Sequence, residues 1–149
     1  MAKEFTDTET KKFIDELLEK TNHQTAANWA SDCAERVLSY YEKQRPQDER
    51  LKRALEASRR WARGEIRVGD ARKAAFPAHA AAREAIGEAA IAAARAAGQA
   101  SSTPHMIGHA IHASTYAVKA VAFETDFEEA AIAEERNWQY EHLKELVGP

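Results

Sequence analysis

Apolar side chains recur along this chain at intervals of three and four, the period of an α-helix face. Strand signals are nearly absent: there is no sustained β-branched alternation and no Asn-Gly or Asp-Gly hairpin turn. Thr6-Asp7-Thr8-Glu9 matches a capping box and predicts a first helix to about Lys20, with Phe13, Ile14, Leu17 and Leu18 on one stripe. A second helix is expected from about Thr25 to Gln44, its seam formed by Ala26, Ala30, Cys33, Val37 and Tyr40, and Pro46 ends it. A third runs from near Gln47 or Asp48 to Arg63. Leu51, Leu55, Ser58 and Ala62 mark one face, Trp61 lies beside it, and Gly64 suits a C-terminal cap.

Alanine then takes over. More than half of the positions between Ala71 and Ala100 are alanine, the residue with the best intrinsic helix propensity. The punctuation predicts helices over about 69–86, 88–100 and 104–122. Gly87 and Gly98 serve as ends, Thr103-Pro104 as a cap followed by proline, and Pro77 as a kink within the first of the three. Because Leu, Ile and Val are scarce here, these helices must bury area by approaching closely. A second capping-box pattern, Thr125-Asp126-Phe127-Glu128, opens a last helix to about Leu146 carrying Phe127, Ala131, Trp138, Leu143 and Leu146. The expected fold is all-α: a single-domain bundle of about seven helices with an alanine-rich central stack and short connections.

Composition narrows the function classes. Charged residues make up 30% of the chain and the net charge is −3, with no basic block standing apart, so no nucleic-acid affinity is expected. A single cysteine, Cys33, excludes an intramolecular disulfide and fits a reducing cytoplasm. No signal peptide, membrane span, phosphate-binding glycine loop, serine elbow or CxxC is present.

The polar residues of the alanine-rich centre fall in stripes. His105, His109, His112, Tyr116 and Lys119 share one face of the expected 104–122 helix; Glu88, Arg95 and Gln99 share another; Arg72, His79 and Arg83 a third. His105 and His109 at i, i+4 have the spacing of two metal ligands, and His79 is the obvious third donor. No Glu lies between the pair, so the metalloprotease pattern is absent. The competing readings are a partner-facing stripe and histidines hydrogen-bonded for packing. Asp32 and Arg36 sit at i, i+4, which suits an intrahelical ion pair or a link from the second helix to the arginine face (Arg50, Arg53, Arg60, Arg63) of the third. That basic face could meet phosphates, but Glu49 and Glu56, at i−4 from Arg53 and Arg60, offset it and favour a solvated surface. Trp29, Trp61 and Trp138 are anchors of the core or of an interface. Cys33 lies on the second helix's seam as a small buried hydrophobe.

Several strings together resemble a known family. They are Trp29 to Leu38 (WASDCAERVL), Pro46 to Arg50 (PQDER), Arg60 to Glu65 (RWARGE), Ala71-Arg72 through His79 to Arg83 (HAAAR), Ala96 to Ala100 (AAGQA), His105, His109-Ala110, Tyr116 to Ala120 (YAVKA) and Glu135 to Gln139 (ERNWQ). Over about residues 28–140 the chain resembles the immunity proteins of bacterial polymorphic-toxin systems, in the immunity-protein-five-like class. Leu51 stands where that pattern has proline, Pro77 where it has alanine, and His112 is outside it. The resemblance implies an all-helical, non-enzymatic protein without a cofactor that binds and neutralises a cognate toxin. It marks Asp32, Arg36, Asp48, Trp61, Arg63, His79, His105 and His109 as binding candidates. Two rivals stand beside it: a metal-dependent enzyme centred on His79, His105 and His109, and a homo-oligomeric helical scaffold joined through alanine-rich faces.

Overall fold

The computed structural model describes residues 3–149 and is all-helical, with eight helices and no strand among those residues. They are α1 (Thr10–Leu18), α2 (His23–Glu35), α3 (Ser39–Glu42), α4 (Arg50–Ala62), α5 (Val68–Glu84), α6 (Glu88–Ser102), α7 (His109–Glu124) and α8 (Glu129–Val147). Among the described residues no helix is long and apolar enough to cross a membrane.

α6 is the centre of the bundle. It touches α2, α3, α4, α5 and α7, and its closest partners are the flanking α5 and α7. Nine of its residues, Ala90, Ala92, Ala93, Ala94, Ala96, Ala97, Gly98, Ala100 and Ser101, are buried, so nearly the whole circumference is covered. Alanine makes this possible. A methyl side chain lets neighbouring backbones approach on every side, where leucines would hold helices apart at the usual 8–10 Å. Larger anchors fill the remainder of the core: Ile14, Trp29, Tyr41, Leu51, Leu55 and Leu143 are buried.

The expected boundaries hold in some places and shift in others. The helix expected over 25–44 breaks after Glu35. Val37 and Leu38 bond back only three residues, to Ala34 and Glu35, and this tighter winding separates α2 from α3. The extra twist turns Tyr41 fully into the core and leaves Tyr40 half-buried, the reverse of the seam assignment. Gly64 does cap α4, at φ 79°: Gly64 N–H donates to the Trp61 carbonyl and Glu65 N–H to the Arg60 carbonyl, the paired bonds of a Schellman end. Pro77 lies inside a continuous α5. Its ring is exposed, so the Lys73 carbonyl deprived of an amide partner faces the solvent side.

Gly98 is not a helix end. α6 runs on to Ser102, where the Ser102 and Thr103 hydroxyls bond back to the Gly98 and Gln99 carbonyls. Thr103 therefore closes α6 instead of opening α7. Residues 103–108 form turns, and α7 begins at His109. Neither capping box forms as expected. The Asp7 carboxylate takes the Thr8 amide and a distant arginine, and α1 starts at Thr10 with no side-chain cap. Thr125 ends α7, its hydroxyl donating to Val121 O, and it receives only a long 3.4 Å bond from Glu128 N–H.

One polar knot ties the amino-terminal segment to the last two helices. The fully buried Arg136 of α8 places every N–H donor: Nε and Nη2 on the two oxygens of Asp7 at 2.9 and 2.7 Å, Nη1 on Ser114 and Gln139, and Nη2 also on Thr115. Asp7 is held below its ordinary pKa. Burial alone would raise it, but the Arg136 hydrogen bonds and charge outweigh that. Gln139 closes the knot, donating to Ser114 O, while its own carbonyl accepts from Trp29 Nε1 at 2.8 Å.

Candidate functional site

Two surfaces gather the candidate residues. The first lies between α2 and α8. Successive turns of α2 lead to Asp32, Glu35 and Arg36, and α8 sets Glu135, Trp138 and His142 at i, i+3, i+7 on one face. Arg36 forks onto Glu135, Nε to Oε2 at 2.8 Å and Nη2 to Oε1 at 3.1 Å. Its guanidinium lies 4.0 Å from the centroid of the Trp138 ring, a cation–π contact. The other neighbour of that indole is the His142 imidazole, stacked at 4.7 Å and 21°. His142 Nε2 donates to Asp32 Oδ2 at 2.7 Å, and Asp32 Oδ1 accepts from Arg59 of α4, also at 2.7 Å. Arg59 reaches Glu35 as well, at 2.8 Å. The result is a chain of contacts around a shallow, open hollow of about 330 Å³ lined by Asp32, Glu35, Arg36, Trp138 and His142.

Asp32 and Arg36 are thus brought into one site, but their intrahelical pair is not formed. Asp32 links α2 to Arg59 of α4 and to His142 of α8, and Arg36 links it to Glu135 of α8. Sequence reasoning missed Arg59, Glu135 and His142 as partners. The signal available was the 135/138/142 spacing on α8.

The second surface belongs to α5, α6 and α7. His79 of α5 lies against α6 at Gly98, where a Cβ would fall 2.5 Å from its Cε1 and 2.6 Å from its Nδ1. Gly98 sits mid-helix because the imidazole occupies the space of a side chain. His109 Nδ1 lies 2.7 Å from Gln99 Oε1, hydrogen-bonding distance between α7 and α6. Burial, then the nearby Arg95 and Arg83, hold His79 below the ordinary histidine pKa. Burial, then His112, His105 and His79, do the same for His109.

His105 is not on the helix of His109. It stands exposed on the 103–108 turn, so the i, i+4 relation that suggested a metal pair is absent. Among the described residues no group of three His, Cys, Asp or Glu side chains is placed to hold a metal ion. The packing of α5 and α7 against α6 brings His79 and His109 near each other.

The other candidates stand apart. Asp48 accepts from Tyr41 Oη at 2.5 Å, from the Arg50 amide at 3.0 Å and from the Arg50 guanidinium at 2.7 Å. The Arg50 bonds hold its carboxyl well below the usual range, and Arg50 extends the network to Glu84 at the end of α5. Half-buried Trp61 meets His23 edge-on at 4.7 Å, and His23 Nε2 donates to Thr103 O at 2.7 Å. Arg63 is exposed and pairs with Glu56 and Glu65. Cys33 is fully buried, and burial pushes its thiol pKa far up, leaving no thiolate for chemistry.

No curated protein and no solved structure matches the chain. The family described as Imm-5 like putative immunity protein matches residues 16–146. That span includes both surfaces and all but the ends of the 149-residue chain, and the chain belongs to that family.

Proposed function

We propose that this protein binds a cognate bacterial toxin and neutralises it by covering the toxin's active site, with the α2–α8 face as the contact. Family membership supports an immunity role. The observation that carries the choice of face is the Arg36–Trp138–His142 stack. Three flat groups are held in one order by Glu135 at one end and Asp32 at the other. Such groups pay little entropy on binding, because their rotamers are fixed before the partner arrives. Tryptophan and arginine are also the side chains that most often dominate interface energies. Asp32 and Arg36 serve here, while Asp48, Trp61, Arg63, His79, His105 and His109 do not line this hollow.

The test is co-expression with the toxin encoded beside this protein. Protection of the host should be lost in a Trp138→Ala, Arg36→Ala double variant that keeps its helical circular dichroism. Full protection by that variant would remove the α2–α8 face from the interface. Failure of the unmodified protein to protect against, or bind, that toxin would end the neutralisation reading itself.

A further inference from the structure

The α5–α6–α7 surface has a chemistry the toxin-binding face lacks. α6 is covered except at Glu88, Ala89, Ile91, Arg95, Gln99 and Ser102, so this stripe is the floor of a trough walled by α5 and α7. Elsewhere most arginines are answered, although among the described residues Arg45, Arg67 and Arg72 also lack a carboxylate within 4 Å. Arg36, Arg50, Arg53, Arg59, Arg60, Arg63 and Arg136 each have a carboxylate within 4 Å. In the trough they are not. Among the described residues Arg83, Arg95 and Lys119 have no carboxylate at that range. The charges acting on His79 and His109 come only from arginines and other histidines.

Glu88 is the one acid on the floor, and it stands two helical turns, about 10 Å along the axis, from Arg95. Beside Arg95 the trough deepens into a hollow of about 240 Å³ between α6 and α7, where Arg95 and Lys119 outnumber the one acid, Glu88, and Ile91, Ala92 and Phe123 form the apolar wall. Lys119 leans over this hollow with its ammonium 5.3 Å from the Tyr116 centroid and 5.8 Å from that of Phe5. Uncompensated cations beside an apolar recess form a surface complementary to an acidic, partly apolar chain.

We propose that the α5–α6–α7 trough docks an acidic segment of a protein partner, whose carboxylates pair with Arg95 and Lys119 and whose apolar side chain enters the hollow. The inference does not depend on the toxin-binding reading, because it concerns a different face and is tested without the toxin. The probe is a short Glu-rich peptide containing leucine, titrated into the isotopically labelled full-length protein and followed by amide and side-chain NMR shifts.

Saturable shifts are expected on α5, α6 and α7, with an affinity that falls about tenfold from low to physiological salt, as for an exposed ionic contact. The shifts should vanish in the Arg95→Glu, Lys119→Glu double variant. Should that variant misfold, Arg95→Gln with Lys119→Gln serves, because it removes both charges at two surface positions. Absence of saturable shifts, shifts centred on the α2–α8 face, or binding retained in the charge variants would overturn the proposal. Equal saturation by inorganic phosphate would also overturn it, since the trough would then be a small-anion site and not a docking site for a chain.

Discussion

Gly98 and His79 offer the sharpest quantitative test of how the alanine stack is built. Gly→Ala within a helix ordinarily stabilises by about 0.5–1 kcal/mol, through reduced entropy of the unfolded chain and better propensity. In the native protein the new methyl would lie 2.5 Å from His79 Cε1, 2.6 Å from Nδ1 and 3.0 Å from Nε2. Carbon atoms in contact sit at roughly 3.5–4.0 Å, so the overlap is about 1 Å. α6 is wedged between its neighbours and cannot retreat, so the ring must move. Forcing it off its rotamer costs about 0.5–1.5 kcal/mol, and the lost packing adds to that. Gly98→Ala should therefore be neutral or destabilising in the native background. In a His79→Ala background the same change meets no ring and should stabilise by about 0.5–1 kcal/mol. The coupling energy, read from urea unfolding of the four proteins in a double-mutant cycle, should be on the order of 1–2 kcal/mol. The His79 titration gives a second readout, because a displaced ring regains water and its pKa moves up toward the ordinary value. Equal stabilisation in both backgrounds with an unchanged His79 titration would refute the claim that the imidazole occupies the glycine's missing side-chain space.

Four further outcomes follow from the network. Arg136→Met leaves Asp7 without its counter-charge and should cost about 3–5 kcal/mol in chemical denaturation; Arg136→Lys should recover only part, because an ammonium has three donors where five are used. His79 and His109 have folded pKa values below their unfolded ones, so the unfolded state takes up more protons as pH drops. The melting temperature should then hold above the unfolded histidine pKa of about 6.5 and fall as pH descends through the two folded values, and a His79→Gln, His109→Gln variant should flatten that slope. Asp48→Asn keeps the shape but loses the charge facing Arg50, and about 1–3 kcal/mol of stability should go with it in thermal or urea melts. Cys33 should resist thiol reagents in the native protein and react only at the rate of global opening, as monitored by mass spectrometry.

What could be read from sequence and what could not differ for a physical reason. Element type was legible, because periodicity three and four, alanine content and the Gly64 end are local properties. Boundaries failed for different reasons: a tighter winding after Glu35, a tertiary contact at Gly98 and a hydroxyl bond back along the helix at Thr103. Gly98 carries the punctuation of a helix end, yet its vacancy is filled by a side chain from another helix. Thr103-Pro104 carries the punctuation of a helix start, yet the Thr103 hydroxyl turns back to Gln99. A histidine stripe inferred from that false start then placed His105 on a face it does not share.

α8 shows the same limit for function. It bears two polar stripes of identical spacing, Glu135/Trp138/His142 and Arg136/Gln139/Leu143, rotated by one residue. Hydropathy alone assigns Arg136 and Gln139 to solvent. They are instead fully buried, because Asp7, Ser114 and Thr115 arrive from other parts of the chain to satisfy them. In the neighbouring stripe Glu135 is buried under Arg36, while Trp138 and His142 stay half-exposed because Arg36 comes from α2 and stacks over the indole without sealing it. One register step along α8 thus separates a structural knot from a binding face, and only partners more than twenty residues away decide which is which. Substitutions should sort by that step. Changes at Arg136 and Gln139 should lower stability and protection together, whereas changes at Trp138 and His142 should lower protection with the fold intact. A Trp138→Ala protein that loses protection only through unfolding would collapse the distinction.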